Sequence, residues 1–236
     1  MNRHYFLVAT LAMSLLFLIS CKKDDVEVED PSLVSGTITG EHAEWSEVGV
    51  SFDLGKTWAD SVKISDKKFS IKLPIPMAEY LEDVESMILD KITDAIRVSD
   101  LTIPEVLIIP LRNKIAEVIK IDNKEAKGRA ASFYVRKDDL KELLSLIYVE
   151  PLDLSTSTVN YMYVSNDLNI SGEFNETIEV ENVKMPTEFS LDLLLKKGWN
   201  NAHFAIGTTT SGIFKISVTA DKEIPMIALW KVVPVK

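Results

Sequence analysis

Side chains that commonly carry catalysis or bind metals are scarce in this sequence. It contains three histidines and one cysteine among 236 residues. Beyond the first twenty residues the histidines are His42 and His203, and neither has a second histidine at the spacing that zinc sites use. A zinc site would need distant carboxylates, so we expect no metal. His203 is predicted to be a packed or surface imidazole on a strand, and His42 to lie in a solvated loop.

Two short motifs match parts of known catalytic or nucleotide-binding patterns, and both are incomplete. Gly55-Lys56-Thr57 has the end of a phosphate-binding loop, but the first glycine of that loop would fall at Val50. Ser65 and Lys68 have the serine-to-lysine spacing of penicillin-recognising enzymes, which place the pair at the start of a helix. The residues that follow Lys68 indicate a strand instead. Neither motif predicts catalysis.

Acidic residues are abundant, and 36 Asp and Glu residues make chance pairs certain. A glycoside hydrolase needs two carboxylates roughly 5 to 10 Å apart in a cleft. The cluster Asn166-Asp167-Asn169 lacks the glycine and the final glutamate of a calcium loop. A further acidic series is explained most simply as the solvated face of a helix: Glu79, Glu82, Asp83 and Glu85. We therefore expect no catalytic residues and no cofactor.

Aromatic side chains are the remaining candidates for ligand binding, because their flat faces can stack on sugar rings. The candidate ligand-facing residues are Trp45, Trp58 and Trp199, and Tyr161 and Tyr163 could add to them. Most of these rings are expected in the core. Trp45 and Trp58 are favoured as ligand platforms because both lie close to predicted turns.

The elements that must position these residues are mainly strands. Residues 48–54 and 69–73 alternate apolar and polar side chains around turn residues at 53–56, and Pro74 ends the second run. Such alternation predicts antiparallel strands with one buried face. Further strands are predicted at short, regular spacing over residues 159–164, 168–174, 177–183, 189–195, 202–206, 212–219 and 226–233.

Helical spacing replaces this alternation in residues 77–96, where apolar and acidic side chains separate onto two faces. Acidic residues near its start favour the positive end of the helix dipole. Residues 115–121 and 130–135 are predicted to form a hairpin across a turn at 122–128. Residues 138–148 fit a short helix or a strand, and both alternatives stay open.

These patterns predict a mainly β protein with an α insertion (α+β), built as an antiparallel β-sandwich or as two small sandwich-like domains. The predicted organisation is N-terminal strands over residues 33–76, an amphipathic helix over 77–97 and a β-sandwich region over 98–236. The helix could cover the sandwich, separate two domains or close over a pocket.

The first twenty residues have the order of regions of a signal peptide, with Arg3 before an uncharged apolar run at 6–19. That run is shorter than the roughly 20 residues that a transmembrane helix needs. It ends in Leu18-Ile19-Ser20-Cys21, which resembles the lipobox of bacterial lipoproteins. The resemblance implies that residues 1–20 are removed and that Cys21 is the lipid attachment site. An ordinary secretory signal with a chance cysteine is the alternative.

Cys21 is the only cysteine, so the protein has no internal disulfide, and several acyl chains would anchor it stably without a transmembrane helix. Residues 21–32 are predicted to be a disordered acidic tether. A charged, acid-rich stretch after the lipidated cysteine resembles the signal that sends Bacteroidetes lipoproteins to the outer face of the outer membrane. A plain spacer on a periplasm-facing protein is the alternative.

Later segments also resemble Bacteroidetes lipoproteins, from Val159-Asn160-Tyr161-Met162-Tyr163-Val164 through Gly198-Trp199-Asn200 to Ala228-Leu229-Trp230. This resemblance implies the envelope compartment and the β class, and it implies no activity. Asp60-Ser61-Val62 resembles the acceptor pattern for O-glycosylation in Bacteroidetes, which would place Ser61 on the surface.

The net charge of −10 disfavours some classes of partner. Loss of Arg3 with the signal peptide would make it about −11, which disfavours nucleic acid and anionic lipid headgroups. We expect a non-catalytic envelope lipoprotein that contacts the membrane through its lipid anchor and acts as a binding or assembly module. Its partner would be a glycan or another envelope protein. A structural, pilus-like subunit is the alternative, and a glycoside hydrolase with dispersed carboxylates is less favoured.

Overall fold

The computed structural model describes residues 30–39, 45–53, 55–99, 101, 103–136, 144–152, 155–220 and 229–233. Cys21, the predicted tether up to residue 29 and His42 lie outside these ranges. The described residues are mainly β-strand with two α-helices, so the predicted mainly β class with an α insertion is confirmed. Pro31–Lys236 forms one compact unit.

The elements follow one another along the chain with the helices between the fifth and sixth strands. The helices are α1 (Val84–Val98) and α2 (Glu105–Val118), preceded by a 3₁₀ turn at Ala78–Tyr80. The strands are β1 (Leu33–Thr39), β2 (Glu47–Ser51), β3 (Asp60–Lys63), β4 (Lys68–Lys72), β5 (Glu82–Asp83), β6 (Lys120–Ile121), β7 (Lys127–Ala130), β8 (Ser132–Arg136), β9 (Leu144–Leu152), β10 (Ser155–Val164), β11 (Leu168–Val180), β12 (Val183–Leu195), β13 (Gly198–Thr208), β14 (Phe214–Ala220) and β15 (Leu229–Val233).

The first sheet has the strand order β3-β2-β8-β9-β15-β1-β4. All neighbours are antiparallel except β1 and β15, which are parallel. The strands at the two ends of this order, β3 and β4, are joined by a tight turn in which Asp66 and Lys67 have φ of 52° and 62°. Two residues at positive φ suit the twist of a hairpin. The two edge strands of a sheet can be joined by so short a turn only if the sheet curls and brings its edges together. The first sheet is therefore curled.

The second sheet has the strand order β5-β7-β10-β13-β14-β12-β11-β6 and is also antiparallel, apart from the β12 and β14 pair. Strand β9 belongs to both sheets. Residues 144–148 pair with β8 and β15, whereas 149–152 pair with β10. The two sheets are therefore continuous through one long strand.

Two hydrophobic cores lie on opposite faces of β10. Val159 and Tyr161 belong to the core of the first sheet, whereas Met162 and Val164 belong to the larger core between the second sheet and the helices. Successive side chains of a strand point to opposite faces. Strand β10 is therefore a wall between the two cores, buried on both sides.

Helix α1 packs into the larger core, and its first turn begins later than the sequence predicts. Its buried side chains recur at helical spacing: Val84, Met87, Ile88, Leu89, Ile92, Ala95 and Ile96. The predicted start at residue 77 is wrong, because Glu82 and Asp83 instead pair with β7. Ion pairs from Glu82 to Arg129, at 2.9 Å, and from Asp83 to Lys127 accompany that pairing.

The predicted strand at residues 115–121 is wrong, because helix α2 extends to Val118. Only Lys120–Ile121 of that range is a strand. It pairs with β11 and does not form the predicted hairpin. Pro110 lies inside this helix, where a proline costs about 3 kcal/mol. Each fully buried Leu or Ile contributes about 1.5–3 kcal/mol. The burial of four such residues outweighs the cost of the proline: Leu107, Ile108, Leu111 and Ile115.

Other strand boundaries also differ from the prediction. Residues 168–174 and 177–183 belong mainly to one long strand, β11, which pairs with β12 along its whole length across a turn at Glu181 with φ of 55°. The predicted strand at 130–135 is divided between β7 and β8. Residues 144–148, which the sequence left open, are strand, whereas 138–143 and 226–228 lie outside the described residues.

Replacement of Ile88 by Asp tests whether α1 packs on the core, because Ile88 is 0% exposed. We expect a loss of stability larger than the about 2–5 kcal/mol that truncation of a buried Ile to Ala costs, since an unpaired charge is also buried. Urea unfolding followed by circular dichroism measures it. Ser86→Asp, in the exposed first turn of the same helix, is the control and should leave the midpoint unchanged or slightly raised, because a negative charge there favours the helix dipole. Equal midpoints for the two variants would contradict the packing.

Candidate functional site

The outer face of the first sheet brings together two of the residues selected from the sequence, Trp58 and Ser61. Strand β2 pairs Gly49 with Ser61 of β3 and Glu47 with Arg136 of β8. Trp58 precedes β3 and lies over this surface. The result is a polar surface around one indole, formed by three neighbouring strands.

Trp58 rests directly on the backbone of Gly49. A Cβ atom at Gly49 would lie 2.1 to 2.7 Å from three atoms of the indole ring, so only glycine permits this approach. The guanidinium carbon of Arg136 lies 4.8 Å from the ring centroid, a cation–π distance. Trp58 is half-buried and is held in one orientation by these contacts.

The turn between β2 and β3 fixes the backbone that leads to Trp58. The carboxylate of Asp53 accepts hydrogen bonds from the Ser51 hydroxyl at 2.7 Å and from the backbone N–H of Thr57 at 2.9 Å. The Thr57 hydroxyl also donates to it. These bonds, led by the Thr57 hydroxyl, lower the pKa of Asp53 from 3.8 to about 2. The turn is therefore organised around a carboxylate that stays ionised in mildly acidic solution.

Ser61, the residue predicted to accept a glycan, is half-buried on β3. Its hydroxyl donates a hydrogen bond of 2.6 Å to Oε1 of Glu47. The other carboxylate oxygen of Glu47 accepts a hydrogen bond from Arg136. Modification of Ser61 would therefore have to release its hydroxyl from an ion pair that also contacts Trp58.

The other aromatic candidates lie in or against the core of the first sheet. Trp199 is 7% exposed and packs against Phe52 and Tyr163, with ring centroids 6.1 and 5.7 Å away. Tyr161 is buried beside Phe133 and Trp230. Trp45 is half-buried and packs against the same core. Of the three tryptophans selected from the sequence, Trp58 lies on the outer face of this sheet and Trp199 lies in its core.

His203 and Asp167, two residues considered for metal chemistry, lie in the described part of the chain. His203 is buried on β13 at 6% exposure. Asp167 binds the neighbouring loop, because it accepts the backbone N–H of Lys197 at 2.8 Å and pairs with Lys196 at 3.2 Å. These interactions, led by the Lys197 N–H, lower its pKa. Within the described ranges, no group of three His, Cys, Asp or Glu side chains could hold a metal ion.

A cleft of about 630 Å³ lies at the start of helix α1. Its lining combines the first helical turn with β6 and the loop that follows: Asp83, Val84, Glu85, Ser86, Ile119, Lys120, Ile121, Asn123, Lys124 and Ala126. The first N–H groups of a helix have no partner within the helix, and the side chain of Asp83 does not cap them. The cleft therefore offers backbone and lysine donors beside carboxylate acceptors.

This mixture can hydrogen-bond a small polar molecule that has both donors and acceptors. Positive and negative side chains are balanced in the lining, so the cleft has no strong preference for the charge of a ligand. Lys120 and Lys124 were not among the predicted site residues, because the predicted hairpin placed Lys120 on a strand and Lys124 in a turn. The helical spacing of Leu107, Leu111 and Ile115 could have revealed α2 and thus the position of β6.

Among the helices in the described part of the chain, none is long and apolar enough to span a membrane. Comparison of the chain with protein-family models, curated proteins and solved structures finds no match.

Gly49→Ala tests the contact between Trp58 and the sheet. We expect a loss of about 1–3 kcal/mol, because the added methyl group displaces the indole from its position. Urea unfolding measures the loss, and tryptophan fluorescence reports the displacement. The same substitution in a Trp58→Ala background should cost clearly less, since the clashing ring is absent. Equal costs in the two backgrounds would show that the ring does not rest on Gly49.

Proposed function

We propose that this protein is a non-catalytic envelope lipoprotein of the Bacteroidetes type, displayed at the cell surface, that acts as a binding or assembly module. The observation that carries the proposal is the position of its only cysteine. Cys21 follows Leu18-Ile19-Ser20 at the end of an uncharged apolar run, and no other thiol competes with it for acylation. This is the arrangement expected of a lipid-anchored protein whose anchor is separate from its fold.

The start of the folded unit agrees with this arrangement. The compact unit begins at Pro31, so Cys21 lies outside it. The intervening segment contains about nine residues, which at full extension span about 30 Å. Acyl chains on Cys21 would keep the domain near the bilayer and leave its sheets free to meet a partner.

Two surfaces support a binding role. The outer face of the first sheet presents Trp58, Arg136 and Glu47 in fixed positions, and the cleft at the start of α1 offers mixed hydrogen-bonding groups. Both suit a neutral polar partner such as a glycan, or a polar protein surface. The negative net charge disfavours nucleic acid as a partner.

The anchor and its location are tested together on intact cells. We expect the native protein to incorporate labelled palmitate and to be digested by added protease while the cells remain whole. A Cys21→Ala variant should lose the label and leave the membrane fraction. A periplasmic marker protein is the control for cell integrity.

Each result of that experiment decides one part of the proposal. Absence of label in the native protein would overturn the lipid anchor. Label with protection from protease until the outer membrane is breached would place the protein on the periplasmic side and overturn surface display.

A pilus-like subunit is the second candidate, and the position of β1 favours it. Strand β1 lies inside the first sheet, between β4 and β15, although it is the first strand among the described residues. Removal of β1 would leave the facing edges of β4 and β15 without the strand that lies between them. A strand from another copy could pair with these edges, which is how strand exchange links subunits.

Deletion of residues 31–39 tests this second candidate. Strand exchange predicts that the shortened protein forms multimers, seen by light scattering after gel filtration, and that a peptide of residues 33–39 suppresses them. A peptide with the same composition in scrambled order is the control. A shortened protein that folds and stays strictly monomeric would exclude this route of assembly.

A further inference from the structure

Three large apolar side chains lie exposed close to where the chain enters the folded unit. Leu33 is 54% exposed, Ile75 is 72% exposed and Met77 is 58% exposed. We call these three residues the tether-end patch. Single exposed apolar residues are common, but apolar residues gathered on one surface mark sites of contact with a membrane or a protein.

Backbone pairing places Leu33 near Ile75, and Met77 follows Ile75 by two residues. Leu33 is paired with Lys72 in the β1 and β4 ladder, and the backbone N–H of Leu73 donates to the Ser32 carbonyl at 2.7 Å. Ile75 follows Leu73 by two residues, which limits the separation of their Cα atoms to about 7.6 Å. Ile75 therefore lies close to the first residues of the folded unit.

The local sequence keeps Ile75 turned outward. Because Pro76 follows Ile75, the backbone of Ile75 is restricted to extended conformations, and Pro74 imposes the same restriction on Leu73. Leu73 and Pro76 are buried and fasten the segment to the domain, while Ile75 and Met77 project from it. Ile75 is therefore exposed in a fixed position, where a partner outside the described residues can contact it.

We propose that the tether-end patch rests on the lipid bilayer that holds the acyl chains of Cys21, so that the domain has a defined orientation on the membrane. This inference rests on the proposed lipid anchor. About nine residues separate Cys21 from Pro31, so the end of the domain that carries the patch is held within about 30 Å of the bilayer. The net charge of −10 disfavours anionic headgroups, so the contact is with zwitterionic lipid.

A second pair of exposed apolar residues supplies a matched control. Val106 and Ile109 lie on helix α2, which packs on the other core, and Ile109 is 69% exposed. Its exposure is close to that of Ile75. A difference between these two positions therefore reports the orientation of the domain rather than solvent access in the free protein.

The experiment uses the full lipidated protein with one added thiol, Ile75→Cys or Ile109→Cys. Acylation consumes the thiol of Cys21, the only native cysteine, so an environment-sensitive dye labels the added thiol alone. The labelled proteins are incorporated into phosphatidylcholine and phosphatidylethanolamine vesicles with and without doxyl-labelled lipid. We expect blue-shifted emission and strong doxyl quenching at position 75, and water-like emission with little quenching at position 109.

Vesicle flotation separates failure of the inference from failure of the anchor. Protein that floats with the vesicles but is quenched no more at position 75 than at position 109 would overturn the membrane contact and leave the anchor intact. Protein that does not float would overturn the anchor and the orientation together. Flotation with quenching confined to position 75 supports both.

Discussion

Burial of both faces of β10 is the constraint on which the rest of the structure depends. Val159 and Tyr161 must fill one core while Met162 and Val164 fill the other, and adjacent side chains cannot exchange faces without a shift of register. Strand β13 beside it shares this role, since Trp199 belongs to one core and Phe204 to the other. Two cores with a common wall cannot separate into independent domains, which explains why Pro31–Lys236 forms one compact unit.

This shared wall also decides which surfaces remain for function. The inner faces of both sheets are filled by apolar side chains, and the two helices cover the larger core. Aromatic residues near β10 pack with their rings against one another, as Tyr161 and Phe133 do with Trp230. Three of the surfaces described above remain accessible to a partner. They are the outer face of the first sheet, the cleft at the start of α1 and the tether-end patch.

The sequence was a good guide wherever local pattern and tertiary contact agreed. Strand β4 alternates clearly because one of its faces is buried and the other is solvated. Strand β2 alternates in sequence, but both of its faces are buried, since Trp58 covers Gly49 on the outer face. The apolar spacing of α1 was equally clear, but its first turn was misplaced because Glu82 and Asp83 pair with β7, which lies distant in the chain. Helix α2 was missed because Pro110 indicates a break when only local rules are considered. Burial of its Leu and Ile side chains stabilises the helix by more than the proline destabilises it, and this burial requires the rest of the fold.

The sequence by itself determined the strand-rich class, the core positions of the alternating strands, the shortage of histidine and the single cysteine that follows an apolar run. These are properties of residue type and local spacing, which need no partner segment. The tertiary structure decided that Trp58 lies on Gly49 beside Arg136, that Trp199 lies in a core and that Lys120 borders the start of α1. Each of these depends on segments brought together by strand pairing, and no local pattern records which distant strand will be the neighbour.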